Sequence, residues 1–294
     1  MKELKIDVTL ARKLISKQFP EWASLNVTQV VPGGHDNRTF RLGADKLIRL
    51  PSAERYANKV QKEQYWLPIL ANKLKLDIPK PLAQGTPSDD YPWDWSIYEW
   101  IDGKTVYETK HNNKLLFAED LANFLLSLYS IDTSNGPKGG ENSFYRGCSP
   151  SYYNDQVLTA LRLLNKRLNI KKATSIWQSA LATNWNKSAV WVHGDISVGN
   201  LLMKNGRLNA VIDFSGLCIG DPACDLAIAW TYLDASSRKV FKNQLNADTD
   251  LWLRGAAWAL WKALIIEAGI VSSNEVELKQ SNITLLELLE SDLC

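Results

Sequence analysis

Two hydrophobic rhythms meet near Asp102-Gly103, and their order restricts the fold more than any other feature of this chain. Before that point short apolar runs alternate with turns, at residues 26–32, 37–42, 46–50, 82–86 and 95–100. Runs of this length bounded by turn residues read as strands, and Gly33-Gly34-His35-Asp36 reads as the hairpin loop between the first two. Val8, Ala11, Leu14, Ile15 and Phe19 recur at helical spacing, with Asp7 placed to cap a helix over residues 8–19. A longer helix is expected over residues 53–74, carrying Tyr56, Val60, Glu63, Leu67 and Leu70 on or near one side. This order describes a small, mostly antiparallel sheet with a helix against it.

After Gly103 helical patterns take over, at residues 114–130, 151–168, 174–184, 223–233, 238–245, 251–268 and 282–289. The exception is residues 190–214. There, two apolar runs flank Lys204-Asn205-Gly206-Arg207, and Asn-Gly between apolar runs is a strong hairpin signal. The expectation is an α+β fold with two lobes, a β-rich one over residues 1–102 and a larger helical one over residues 103–294. A chain of 294 residues with 45% hydrophobic and 22% charged residues can bury such a core without disulfide or metal staples.

A formal net charge of +2 gives no support to nucleic-acid binding, which usually shows a basic excess. The first residues lack the apolar core of a secretory signal. The most apolar stretch, residues 256–266, is interrupted by Lys262 and too short to span a bilayer. Cys148, Cys218, Cys224 and Cys294 match no zinc or redox spacing. The expectation is therefore a cytoplasmic protein with reduced thiols, with neither a membrane nor a nucleic acid as partner.

Three polar residues punctuate the hairpin region. Asp195 follows the run Val190-Trp191-Val192, Asn200 lies five positions on, and Asp213 follows Val211-Ile212. One carboxylate can take the proton of an attacking hydroxyl. A second carboxylate with an amide oxygen can hold Mg²⁺, a hard cation that prefers oxygen. That division of labour is what phosphoryl transfer needs.

His193-Gly194-Asp195-x4-Asn200, then Ile212-Asp213-Phe214, then Gly220-Asp221-Pro222-x2-Asp225-Leu226-Ala227 resembles the aminoglycoside phosphotransferase family, which shares the protein-kinase-like fold. The resemblance implies Asp195 as catalytic base, and Asn200 and Asp213 as Mg²⁺ ligands. It implies Asp225 as a brace of the catalytic loop, while His193 beside that loop reads as structural, holding backbone carbonyls by hydrogen bonds. Asp221-Pro222 reads as a helix start with aspartate as N-cap.

In the N-terminal lobe the resemblance implies a cation on the third strand that contacts the nucleotide phosphates and pairs with a helix glutamate. Arg49 stands there, where the family carries lysine, with Lys46 as the alternative cation and Glu63 as the expected partner. Gly33 and Gly34 match a short phosphate-covering loop. Glu99, Trp100 and Ile101 fall where the family's linker binds the adenine edge through its backbone.

Twelve tryptophans include Trp252, Trp258 and Trp261 on one expected helix, read as core packing or as an acceptor wall. Residues 267–294 hold six acidic residues and one lysine, read as a solvated face or as an acidic acceptor pocket. Together these features imply a kinase using ATP or GTP with Mg²⁺ to phosphorylate a hydroxyl of a small molecule, as in an aminoglycoside antibiotic kinase. The same scaffold also serves macrolide, choline, homoserine and sugar kinases, and a nucleotide-binding pseudokinase is the alternative that Arg49 favours.

Overall fold

The computed structural model describes residues 4–31, 33–34, 36–109 and 113–290. Pro32 of the expected first strand, His35 of the expected turn after it, and Cys294 lie outside them. The chain divides into a unit running to Gly103 together with Ala210–Ile212, and a second unit holding the rest.

The first unit begins with α1 (Val8–Gln18), whose N-cap Asp7 accepts a hydrogen bond from the Leu10 amide at 3.0 Å. Strands β1 (Val27–Gln29), β2 (Asn37–Leu42) and β3 (Lys46–Pro51) follow, then α2 (Glu54–Ala57), α3 (Lys59–Ala71), β4 (Pro81–Gly85) and β5 (Trp95–Glu99). The strands form a five-stranded sheet in the order β1-β2-β3-β5-β4, antiparallel throughout. Ala11, Leu14 and Ile15 of α1 pack on Phe40, Leu42, Ile48, Leu50 and Ile97 of the sheet. Gln64 of α3 donates to the Ala83 carbonyl at 3.1 Å and to Ser96 Oγ at 2.9 Å, which fastens that helix to β4 and β5.

The helix expected over residues 53–74 is two helices meeting at Asn58. Lys59, only 6% exposed, is held there by Asp36 at 3.5 Å. The first strand is also shorter than expected, ending at Gln29.

The second unit contains β6 (Lys104–Thr105), α4 (Lys114–Tyr129), α5 (Asn154–Leu163), α6 (Ile170–Leu181), β7 (Val190–Val192), β8 (Leu201–Lys204) and, as far as Asn209, β9 (Arg207–Val211). It continues with β10 (Cys218–Gly220), α7 (Ile228–Thr231), α8 (Ala235–Gln244), α9 (Thr249–Glu267) and α10 (Glu275–Glu290). The hairpin β8–β9 turns on Asn205 and Gly206 at φ 52° and 76°, the left-handed pair that Asn-Gly supplies cheaply. Asp120 of α4 clamps it, accepting from Arg207 Nε at 2.8 Å and from the Leu208 amide at 3.2 Å.

Helix α9 is the spine of this unit. All its residues from 251 to 261 are buried, as expected of a helix that is apolar all round. Its Gly255 allows close approach, since a Cβ there would sit 2.8 Å from Leu226 Cβ. Among the described residues no helix is long and apolar enough to cross a membrane.

Candidate active site

Strand β7 is paired with β10 and delivers His193-Gly194-Asp195 at its end. Each residue of that turn is fixed by a separate interaction. Asp225, fully buried, accepts from the His193 amide at 3.0 Å through one oxygen and from the Gly194 amide at 2.8 Å through the other. His193 Nδ1 accepts from the Asp195 amide at 3.1 Å, so the imidazole is neutral at that nitrogen, and its ring meets Phe214 edge-on at 4.5 Å. Gly194 has φ +88°, and a Cβ there would lie 2.6 Å from the Gly216 carbonyl oxygen. The turn thus presses backbone against backbone on the segment following Asp213, which only glycine allows.

On this turn Asp195 Oδ2 accepts from Asn200 Nδ2 at 2.8 Å, and the same nitrogen reaches the Asp195 carbonyl at 3.0 Å. Asp195 is solvent-exposed at the end of β7, yet protein packs densely around it. That desolvation, and then the negative field of Asp213, raise its carboxyl above the ordinary range, while Arg146, Lys262 and the Asn200 hydrogen bond pull it back. Asp213 itself takes a left-handed conformation, φ 63° and ψ 72°, immediately before the 3₁₀ turn Phe214–Gly216.

Asp225 is pushed up to about 7 by burial, against the pull of its two amide donors and of Arg146. Asp221 caps the 3₁₀ helix Pro222–Ala227, accepting from the Ala223 amide at 3.1 Å, and pairs with buried Arg254 at 2.7 Å. Both residues therefore do structural work, as the sequence implied for Asp221.

The donor chemistry fits Mg²⁺. With its nitrogen turned to Asp195, Asn200 keeps its amide oxygen for another partner, and Asp213 adds a carboxylate. Both are hard oxygen donors. Among the described residues no set of three or more His, Cys, Asp or Glu side chains converges as a metal cage. A two-donor site that shares its ion with phosphate oxygens needs none.

In the first unit Arg49 Nη1 donates to both oxygens of Glu63, at 3.3 and 3.2 Å. Glu63 is 4% exposed and also accepts from Tyr98 Oη at 2.6 Å, a partner that sequence reasoning missed. Lys46 instead pairs with its neighbour Asp45 at 2.9 Å. Opposite parity on β3 separates the two cations, and only Arg49 meets α3.

Neither Gly33 nor Gly34 has a positive φ, and a Cβ on either would meet nothing closer than 3.5 Å. Among the described residues nothing demands glycine at these positions. Of the linker amides, Glu99 donates to the Lys80 carbonyl at 3.0 Å and Trp100 to the Asp45 carbonyl at 2.8 Å. The two are engaged, which narrows the expected adenine donors to Ile101.

Trp252, Trp258 and Trp261 are 4%, 3% and 6% exposed, so they are core and not an open wall. The acidic C-terminal segment is partly spent on pairs within the unit: Glu267 with Arg167 at 2.5 Å and Glu287 with Arg238 at 2.6 Å. Sequence reasoning missed Arg146. Its Nε donates to the Gly194 carbonyl at 2.9 Å, and its guanidinium lies 4.8 Å from the Trp258 ring and 5.0 Å from the Trp261 ring. No local motif marks it, because it reaches the turn from a loop some fifty residues upstream.

Several known proteins are similar to this chain. Aminoglycoside 3'-phosphotransferase of Escherichia coli is 28% identical over 190 residues, covering 63% of this chain and 68% of the relative. The Salmonella typhimurium enzyme of the same name is 27% identical over 227 residues, 76% of this chain and 81% of the relative. The GDP complex of aminoglycoside 2'-phosphotransferase-IIIa superposes with TM-score 0.71 at 18% identity, covering 97% of this chain and 99% of the other. Macrolide 2'-phosphotransferase type I gives 0.63 at 19%, covering 97% and 99%. At such identities these structures show a shared kinase-like fold. The model of the phosphotransferase enzyme family matches residues 27–259, a span that includes the His193–Asp195 turn, Asp213 and the Arg49–Glu63 pair, and the chain belongs to that family.

Proposed function

We propose that this protein is a small-molecule kinase of the antibiotic-kinase type, moving the γ-phosphoryl group of ATP or GTP to a hydroxyl of a small acceptor. One observation carries the reading: the Asp195 carboxylate is oriented by Asn200, on a turn braced by Asp225, in the field of a second carboxylate, Asp213. Asp195 accepts the hydroxyl proton as the acceptor oxygen bonds to the γ-phosphorus. The bond from that phosphorus to the bridging β,γ-oxygen breaks, and the nucleoside diphosphate leaves with the electron pair. Asp213 and the Asn200 amide oxygen are the residues that would hold Mg²⁺, which when bound neutralises phosphate charge. Arg49, kept in place by Glu63 and Tyr98, supplies a permanent cation for the phosphates. Gly33, Gly34 and the Ile101 amide are the candidate contacts to the phosphates and the base. The relatives are named for aminoglycosides and macrolides, so hydroxylated sugars of those classes are the first acceptors for this reading. The test is an assay of nucleoside diphosphate release across a hydroxylated panel, with ATP and with GTP. Acceptor-dependent release supports the reading, and nucleotide binding with no transfer to any acceptor supports a pseudokinase.

Two outcomes are expected at the ligand sites. Asp213→Asn weakens Mg²⁺-dependent nucleotide binding more than Asn200→Ala, because a charged oxygen contributes more than an amide to a hard dication. Calorimetry with and without Mg²⁺ measures this, and equal small effects count against both assignments. Arg49→Lys keeps the charge and stays within ~10-fold of wild-type kcat/KM. Arg49→Ala and Glu63→Gln both fall further, and the double variant is less than additive. Additive losses in steady-state kinetics would separate the two residues.

A further inference from the structure

We propose that Arg146 is a positioning residue for phosphoryl transfer: it fixes the peptide plane that carries Asp195 and so keeps the carboxylate aimed at the acceptor hydroxyl. This rests on the kinase reading above and goes beyond it, since it gives part of the alignment to a residue outside the catalytic motifs. All the residues involved lie in the second unit.

The peptide unit between Gly194 and Asp195 can turn about the bonds on either side of it. Gly194, at φ +88°, has no Cβ to limit the first of those rotations. The plane is therefore set by what grips its two polar ends. Its amide, on Asp195, donates to His193 Nδ1 at 3.1 Å, within the turn itself. Its carbonyl, on Gly194, accepts from Arg146 Nε at 2.9 Å, from outside the turn. Asp225 holds the two preceding peptide units through the His193 and Gly194 amides. Arg146 extends that bracing by one unit, to the one that leads directly into the base.

Arg146 is itself held in place. Its amide donates to the Ser143 carbonyl at 3.0 Å, and its carbonyl accepts from buried Ser143 Oγ at 2.9 Å and from Cys218 Sγ at 3.0 Å. Cys218 belongs to β10, which pairs with β7, so the turn, Arg146 and the two strands close a ring. The guanidinium lies 4.8 Å from the Trp258 ring and 5.0 Å from the Trp261 ring, surfaces that suit a flat cation. Trp261 is fixed in turn by Tyr153, stacked on it at 3.9 Å, and by Gln156, which accepts from its Nε1 at 2.8 Å. Among the described residues no carboxylate pairs with Arg146, and Glu141 of the same loop is exposed. The charge is left for the Gly194 carbonyl, and a hydrogen bond from a charged donor is stronger than a neutral one. Through Arg146 the buried tryptophans of α9 bear on the catalytic turn.

The test follows γ-labelled nucleotide, with Mg²⁺ and an acceptor that the wild type phosphorylates, in full-length wild type, Arg146→Lys, Arg146→Met and Arg146→Ala. Two products are counted, phosphate ester and inorganic phosphate. A base off its aim slows transfer to the acceptor, while water, small and free to orient, still reaches the γ-phosphorus. Arg146→Met is expected to lower kcat for ester about 10- to 100-fold, the scale of a misplaced group, with nucleotide KM little changed and a larger share of label in inorganic phosphate. Arg146→Lys keeps the charge without the fork and falls between. Ethylguanidinium, which supplies the atoms missing in Arg146→Ala, restores the ester share of that variant. The ratio of ester to inorganic phosphate belongs to each folded molecule, so a variant that merely folds less lowers both products and leaves the ratio alone. An unchanged ratio in Arg146→Met and Arg146→Lys, with ester falling only in step with folded protein, overturns the positioning role and leaves the kinase reading standing. Failure of both variants to fold also overturns it, as the mark of a structural residue. Wild type that forms no ester with any acceptor defeats the kinase reading, and the positioning role falls with it.

Discussion

Asp195→Ala lowers kcat at least ~100-fold while nucleotide affinity and folding stay near wild type. The carboxylate is the group placed to take the acceptor proton, and alanine leaves the turn with its other supports. The His193 and Gly194 amides still meet Asp225, and Arg146 still holds the Gly194 carbonyl. What is lost is the proton acceptor and the Asn200 contact at 2.8 Å. Steady-state kinetics with a verified acceptor, beside nucleotide titration, separates the two effects. Near-wild-type turnover removes Asp195 from the role of base.

The largest effect on stability is expected at Asp225. Asp225→Ala leaves two buried backbone N–H groups without acceptors at the end of β7, at ~2 kcal/mol each, for a loss of about 4 kcal/mol in chemical denaturation. A pH dependence accompanies it. The Asp225 carboxyl is pushed up to about 7 from an ordinary value of 3.8, by burial first and by the Asp195 charge in addition. Between those values the folded chain keeps a proton that the unfolded chain releases. The contribution of this group is therefore full below pH ~4 and lost as pH rises through ~7. Compared with Asp225→Asn, wild type should lose stability between pH 5 and 8. A constant difference across that range would mean that Asp225 is ionised in the fold throughout.

What was legible in the sequence is what local chemistry determines. Asn205-Gly206 specified the hairpin because few other dipeptides accept two left-handed residues, and Asp7 specified the start of α1 because its side chain caps a nearby amide. Asp195, Asn200 and Asp213 stood out as polar residues at the ends of apolar runs, and the structure brings the first two to 2.8 Å.

What was hidden depends on distant partners. Helix periodicity continues through residue 58, where the structure ends one helix and begins the next. Strand β10 is three residues long and exists because β7 lies beside it. The tight space at Gly216 arises from the backbone of His193 and Gly194, 3.1 and 3.2 Å from where a Cβ would sit. Tryptophan spacing in α9 could not distinguish a core from an open wall, and burial settles it as core. Arg146 has no neighbour in sequence that shares its function. Its place beside the base follows from a loop folding back onto the end of β7.

The central claim, transfer to a hydroxyl under Asp195, is tested most directly by following the γ-phosphoryl group itself. Wild-type protein is incubated with Mg²⁺, γ-labelled nucleotide and the acceptor panel, and the label is located by phosphorus NMR or radiography. The account predicts label in a phosphate ester of one acceptor, equal in amount to the nucleoside diphosphate released, and absent with Asp195→Ala. Label found only in inorganic phosphate, or an ester formed equally well without the Asp195 carboxylate, would contradict it.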